Sequence, residues 1–378
     1  MAPLKSYFCS NLFTMLQVSG EVQVPEELLR LPSVREAVLY ERRRGHKVKC
    51  GLCERRCVIN PGNKGFCRVR LNMDGILLTL VYGDLSALES RPIELKPFFH
   101  FWPGSTALTF SSWSCNFDCL WCQNHHLSKI EPDPKSSHFF EPEKIVNLAL
   151  YQQDSGLCAS FQEPTILTEW CLPVFSLGRA KELYSCYVSN GYMTLEALKL
   201  LKKAGMTGLK IDVKGDKAAY KKYCGGVDVK KVWRNAREAK KMGFHVEIVN
   251  LVITGVNDDT ECLRWVINNH LKTVGQETPL HFSRYSPAYR FSNPQTTVET
   301  LEKAFKMAKK EGVSYSYLGN VKGHKYENTY CPKCGHLLIQ RFSGTIANYK
   351  ITEDKKCSEC GQSIPITGRR IRKWQTLT

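Results

Sequence analysis

Between residues 106 and 320 the chain alternates two hydrophobic patterns. Short apolar runs at 106–111, 158–161, 184–189, 208–213, 245–253, 280–285 and 313–318 read as buried strands. Between most of them, apolar positions recur at helical spacing, over 143–153, 194–204, 229–242, 262–271 and 298–311. Gly205, Gly243 and Gly312 fall just past three of these segments, where a helix commonly ends in a left-handed residue. Repeated β–α units predict an α/β fold with a parallel sheet. About six repeats are visible, fewer than a closed eight-unit barrel needs, so a partial (β/α)6 barrel is expected over residues 96–325.

The flanks follow other patterns. Residues 1–95 begin with a helical periodicity over 25–44 that stops at Gly45. Loops rich in glycine and proline follow, then a short β segment over 75–82. Residues 326–378 break into short strands around two Cys-x2-Cys-Gly turns, a module too small to be stable without a staple.

Composition narrows the class. The chain has 378 residues, 43% hydrophobic and 24% charged, with no apolar run long enough to span a membrane. It lacks a signal peptide's apolar stretch, so a cytoplasmic protein is expected. The 17 cysteines are odd in number and clustered: Cys50, Cys53, Cys57 and Cys67; Cys115, Cys119 and Cys122; Cys331, Cys334, Cys357 and Cys360. Spacings of two or three residues suit thiolates converging on metal better than disulfides, and point to a reducing compartment. The other six, Cys9, Cys158, Cys171, Cys186, Cys224 and Cys262, read as small buried side chains. The formal charge of +17 leaves nucleic acid open as a partner without favouring it, because Lys202–Lys203, Lys221–Lys222 and Lys240–Lys241 sit on apparent helix faces.

The central motif is Cys115-x3-Cys119-x2-Cys122, placed just after the first strand of the β/α series. In β/α barrels that strand end carries the chemistry. Three thiolates on an iron–sulfur cube would leave one iron without a protein ligand, the mark of a reaction site. With Trp121 before its last cysteine, the motif resembles that of the radical S-adenosylmethionine (SAM) enzymes. Glu163 matches the acid of that family's Gly-Gly-Glu, with Phe161 and Gln162 replacing the two glycines. Ser189-Asn190-Gly191 resembles a polar turn of activating-type members, and Asp212 and Lys214 resemble the Asp-x-Lys of glycyl-radical-enzyme activases. The resemblance extends from about Cys50 to the end and is closest to the pyruvate formate-lyase activating enzyme-like branch, in particular the AmmeMemoRadiSam system enzyme. It departs at Ser114, where glycine is usual, and at His125, where tryptophan is common.

The resemblance implies a radical SAM-type partial barrel and a [4Fe-4S] cluster on Cys115, Cys119 and Cys122. It implies SAM contacts from Glu163, Ser189, Asn190, Asp212 and Lys214. It also implies an external low-potential donor, ferredoxin or flavodoxin, and hydrogen abstraction by a 5′-deoxyadenosyl radical. The substrate classes it leaves open are a protein with a flexible glycine loop, RNA or lipid; a metal-stapled binding module without chemistry is the non-enzymatic alternative. His125, His126, His281 and Arg284 are candidate substrate contacts, with a structural role preferred. Cys50, Cys53, Cys57 and Cys67 suit either a second [4Fe-4S] cluster or zinc. The C-terminal four read as a zinc ribbon, with a rubredoxin-like iron the alternative, and Arg341, Arg369, Arg370, Arg372 and Lys373 beside them as candidate contacts to an acidic macromolecule.

Overall fold

The structure, a computed structural model, describes residues 26–371. Its centre is an eight-stranded sheet: β1 (Ala87–Pro92), β2 (Thr106–Ser111), β3 (Gly156–Ala159), β4 (Tyr184–Ser189), β5 (Gly208–Val213), β6 (His245–Val252), β7 (Leu280–Arg284) and β8 (Ser316–Gly319). Strands β2 to β8 pair in parallel in chain order, and β1 adds an antiparallel edge to β2. Each crossover therefore steps the same way, which curls a twisted sheet into a barrel instead of a doubly wound layer.

Helices α1 (Pro142–Tyr151), α2 (Thr168–Ala180), α3 (Leu195–Ala204), α4 (Lys217–Tyr223), α5 (Val229–Lys241), α6 (Thr260–Thr273) and α7 (Val298–Lys310) lie along the connections. Asp or Thr side chains cap α3 to α7, with Thr194, Asp216, Asp228, Asp259 and Thr297 each accepting a first-turn N–H. Helices α2 and α4 escape the sequence pattern. Pro173 and Gly178 lie inside α2, and both disfavour helix in isolation. Packing overrides them: Trp170, Val174, Phe175 and Gly178 are buried. A Cβ on Gly178 would come within 2.5 Å of Leu157 Cδ1, so the helix packs closely on the Leu157 side chain of β3. The three lysine pairs each occupy the last turn of α3, α4 or α5, where positive charge complements the helix dipole. That placement accounts for part of the basic balance without a polyanionic partner.

The N-terminal periodicity is corrected. Helix persists only over Glu26–Leu29; Pro25 lies outside the described residues. Arg35–Glu36 then pairs with Ile76–Thr79, and Tyr40–Arg42 with Val48–Cys50. The reason is local: Pro32 interrupts the helix, and positive φ at Gly45 and His46 closes a hairpin, with Arg43 N donating to Lys47 O at 2.7 Å.

The C-terminal strands Thr329–Tyr330, Leu337–Phe342 and Thr345–Tyr349 form an antiparallel sheet against the N-terminal ends of the barrel strands. Arg341, expected to face a partner, is buried: it donates to Phe99 O at 2.7 Å and Thr329 Oγ1 at 2.8 Å. It serves the join between module and barrel. Arg372, Lys373 and Cys9 lie outside the described residues. Among the described residues, no helix is long and apolar enough to cross a membrane.

Candidate active site

Strand periodicity builds the site. On β5, Leu209, Ile211 and Val213 join the apolar core, while Lys210, Asp212 and, one residue past the strand, Lys214 face the barrel interior. At the carboxyl ends of the strands this interior opens into a cavity of about 570 Å³. Cys115, Cys119 and Cys122 line it, as do Glu163, Ser189, Asn190, Asp212 and Lys214. The structure thus brings all eight anticipated residues to one cavity, from the ends of four successive strands. It also adds Lys96, Gln162, Lys210 and Asn320 to the wall. Lys210 had a legible signal, since a charge two residues before Asp212 shares its face; Lys96 and Asn320 come from connecting segments that carry no period.

Arg284 lines the cavity, but its Nε is committed to Thr296 O at 2.8 Å. His281 does not reach it. This histidine lies at the opposite end of the barrel, donating from Nε2 to Glu247 at 2.7 Å. His125 stacks on Tyr289, with ring centroids 5.1 Å apart.

Glu163 is buried and tightly held. It accepts from Thr165 N at 3.1 Å, the Thr165 hydroxyl, Ser189 Oγ at 2.8 Å and Asn190 N at 2.8 Å. Burial nevertheless raises its pKa above the usual carboxylate value. The side chain therefore joins the β3 and β4 loops as well as facing the cavity. Asn190 Nδ2 donates to Asn116 Oδ1 at 2.7 Å, which orients the residue following Cys115.

Lys210 pairs with Asp212. Burial opposes the Asp212 charge, but Lys210 and Lys214 outweigh it and lower its pKa. Burial likewise opposes the Lys214 ammonium, which Asp212 and Cys119 hold protonated. A hydrogen bond from Cys224 and the charge of Lys214 lower the pKa of the Cys119 thiol, whereas burial pushes Cys115 up.

Ser114 and Phe161, the positions where glycine was expected, both have φ +69°. The left-handed backbone that glycine favours is kept, at a cost of about 1–2 kcal/mol for each side chain. Compensating contacts exist at both. Ser114 Oγ donates to Cys67 O at 2.7 Å, and the Phe161 ring lies 4.0 Å from Lys96 Nζ. Phe161→Gly should then change stability by less than about 1 kcal/mol and leave SAM binding within about threefold. Phe161→Val, β-branched at positive φ, should weaken binding at least about tenfold. Urea midpoints and equilibrium dialysis with SAM measure both.

Residues 113–266 match the Radical SAM superfamily, and with the cysteine motif on the barrel's carboxyl end the chain belongs to that superfamily of enzymes. Over 336 residues it is 40% identical to the uncharacterized protein MJ0808 of Methanocaldococcus jannaschii, covering 88% of this chain and 99% of that protein. It is also 27% identical over 151 residues to the GTP 3′,8-cyclase of Nautilia profundicola, covering 39% and 47% of the two chains. A domain of pyruvate-formate lyase-activating enzyme from Bacteroides vulgatus aligns with TM-score 0.38 and 15% identity over 44% of this chain and 99% of that one.

The superfamily implies a [4Fe-4S] cluster and SAM, and the residues present fit both. Three thiols share one cavity, its volume is in the range of small-molecule sites, and Gln162 Oε1 is buried on its wall without a hydrogen-bond partner.

Proposed function

We propose that the chain is a radical SAM enzyme of the pyruvate formate-lyase activating enzyme-like branch, of the AmmeMemoRadiSam type. It would abstract hydrogen from a protein substrate, with ferredoxin or flavodoxin as its electron donor. The observation that carries this reading is the convergence of Cys115, Cys119 and Cys122 with five polar side chains on one cavity. Cluster and SAM, when bound, supply reductive cleavage to methionine and a 5′-deoxyadenosyl radical.

The chain's own residues do the rest. Cys115, Cys119 and Cys122 hold the cluster. Gln162 Oε1 and Glu163 present acceptors to the SAM amine, and Ser189 and Asn190 fix Glu163 in place. Asp212 and Lys214 would approach the ribose or the carboxylate of SAM. Phe117, Trp121 and Val249 wall the cavity with apolar surface that excludes water. Cluster chemistry of this kind suits a reducing cytoplasm. Reconstituted protein with dithionite and SAM should yield 5′-deoxyadenosine above a no-protein control; none from a fully clustered sample contradicts the reading.

For the C-terminal module we propose structural zinc. Cys331 and Cys360 Sγ lie 3.6 Å apart and Cys334 and Cys357 Sγ 3.7 Å apart, close to the roughly 3.8 Å that a tetrahedral ion with 2.3 Å bonds imposes. Cys331→Ser should release about one zinc per chain and expose the module to proteolysis, read by metal analysis and limited trypsin digestion.

A further inference from the structure

The N-terminal cysteines differ geometrically from the C-terminal ones. Cys50, Cys53, Cys57 and Cys67 line a single small cavity with Arg70 and Asn116. Among the described residues, the C-terminal four are the group of three or more metal-type donors whose ligand atoms lie within 4.8 Å of one another. The N-terminal four stand further apart around their void. One tetrahedral ion with bonds of about 2.3 Å would draw its thiolates together as the C-terminal site does. A cube of iron and sulfide holds them apart.

A second observation concerns the wall. Arg70 is 1% exposed and Asn116 is 0% exposed. Arg70 Nε and Asn116 Nδ2 are buried without a hydrogen-bond partner. The rest of the Arg70 guanidinium is occupied, with Nη1 and Nη2 on the Glu169 carboxylate at 2.6 and 2.7 Å. Orphaned donors at a buried wall are costly, and sulfides of a cluster are acceptors that would satisfy them. The ion pair with Glu169 neutralises Arg70, and Arg55 adds a positive charge to the same wall, so nothing there repels an anionic cluster.

We propose that Cys50, Cys53, Cys57 and Cys67 hold a second [4Fe-4S] cluster, with Arg70 Nε and Asn116 Nδ2 donating hydrogen bonds to its sulfur atoms. The site holds or fails on its own geometry, whichever reaction the three-cysteine site performs. Its place in the fold is specific. Ser114 Oγ donates to Cys67 O, Arg55 Nε donates to the Asn116 carbonyl, and Asn116, on the wall of this cavity, directly follows Cys115, so segment 114–116 links the two cysteine groups.

The test uses the full chain with Cys115, Cys119 and Cys122 all changed to Ala, purified anaerobically and reconstituted with iron and sulfide. About four iron and four sulfide per chain should remain, and dithionite should produce an EPR signal that SAM does not alter. Absence of iron, with about two zinc per chain, overturns the proposal. Should this variant be insoluble, wild type and a variant with Cys53 and Cys57 both changed to Ala decide the matter: about eight iron falling to about four supports the second cluster, and about four in both overturns it. In the triple variant, Asn116→Ala should lower the reduction potential of the remaining centre, because hydrogen bonds to cluster sulfur favour the reduced state. An unchanged potential removes Asn116 from the assignment.

Discussion

Cys119→Ala is expected to reduce 5′-deoxyadenosine formation at least about a thousandfold, with the C-terminal metal site intact. The size of the effect follows from position. Cys119 is buried on the loop after β2 and lines the same cavity as Cys115, Cys122 and the polar side chains of three further strand ends. Two thiols would remain to hold a group that needs three. Its neighbour supplies the control. Cys224 is buried against Cys119 and lowers its pKa through a hydrogen bond, but it is not on the cavity wall. Cys224→Ala should therefore keep the cluster and most of the activity. Chromatographic assay of 5′-deoxyadenosine, with iron content measured on the same samples, separates ligand from neighbour.

Glu247→Ala is expected to destabilise the protein by about 3–5 kcal/mol, the cost of removing one member of a buried charged network. Glu247 lies in β6 at the end of the barrel opposite the cavity, fully buried. It accepts from Phe99 N at 3.1 Å, His100 N at 2.8 Å, His245 Nε2 at 2.9 Å and His281 Nε2 at 2.7 Å. Burial alone would raise its pKa, but the hydrogen bonds from His245 and His281 bring it well below the usual carboxylate value. Truncation would orphan four donors at once, which the urea midpoint would register. The same region makes the fold sensitive to acid. Burial lowers His100 and His270 from 6.5 to about 3. A base whose folded pKa is depressed stays neutral in the fold while the unfolded chain takes up the proton. Stability is then full above pH 6.5 and falls towards pH 3, by about 1.4 kcal/mol per pH unit for each such histidine.

Period-two and helical patterns were enough to anticipate the barrel core, because burial on β5 or α5 leaves a regular imprint on sequence. The strands Tyr184–Ser189 and Gly208–Val213 keep the bounds their patterns predict. Ahead of the β segment anticipated over 75–82, which the structure has at Ile76–Thr79, the N-terminal extension left no such imprint. Its strands before residue 80 are two to four residues long, too short for either period to declare itself, and Arg35–Glu36 and Tyr40–Arg42 serve two different sheets. Arg341 misleads for a related reason. A lone arginine near surface residues gives no hint that it spans from the ribbon to Phe99. At the site, cysteine spacing and strand-end position located the ligands and the polar residues around them. Hidden from sequence were the structural duty of Glu163, which depends on Thr165 and Ser189 folding onto it, and the positive φ of Ser114 and Phe161. The contacts that accompany that backbone, to Cys67 and Lys96, come from residues distant along the chain.

The most direct test of the central claim is electron-nuclear double resonance on the reduced protein with SAM labelled in its amino nitrogen and carboxylate. Hyperfine coupling of both labels to the cluster, lost in Cys119→Ala, is the predicted result. Absence of coupling in a sample with intact cluster, or a fourth protein ligand on the iron, would contradict the account.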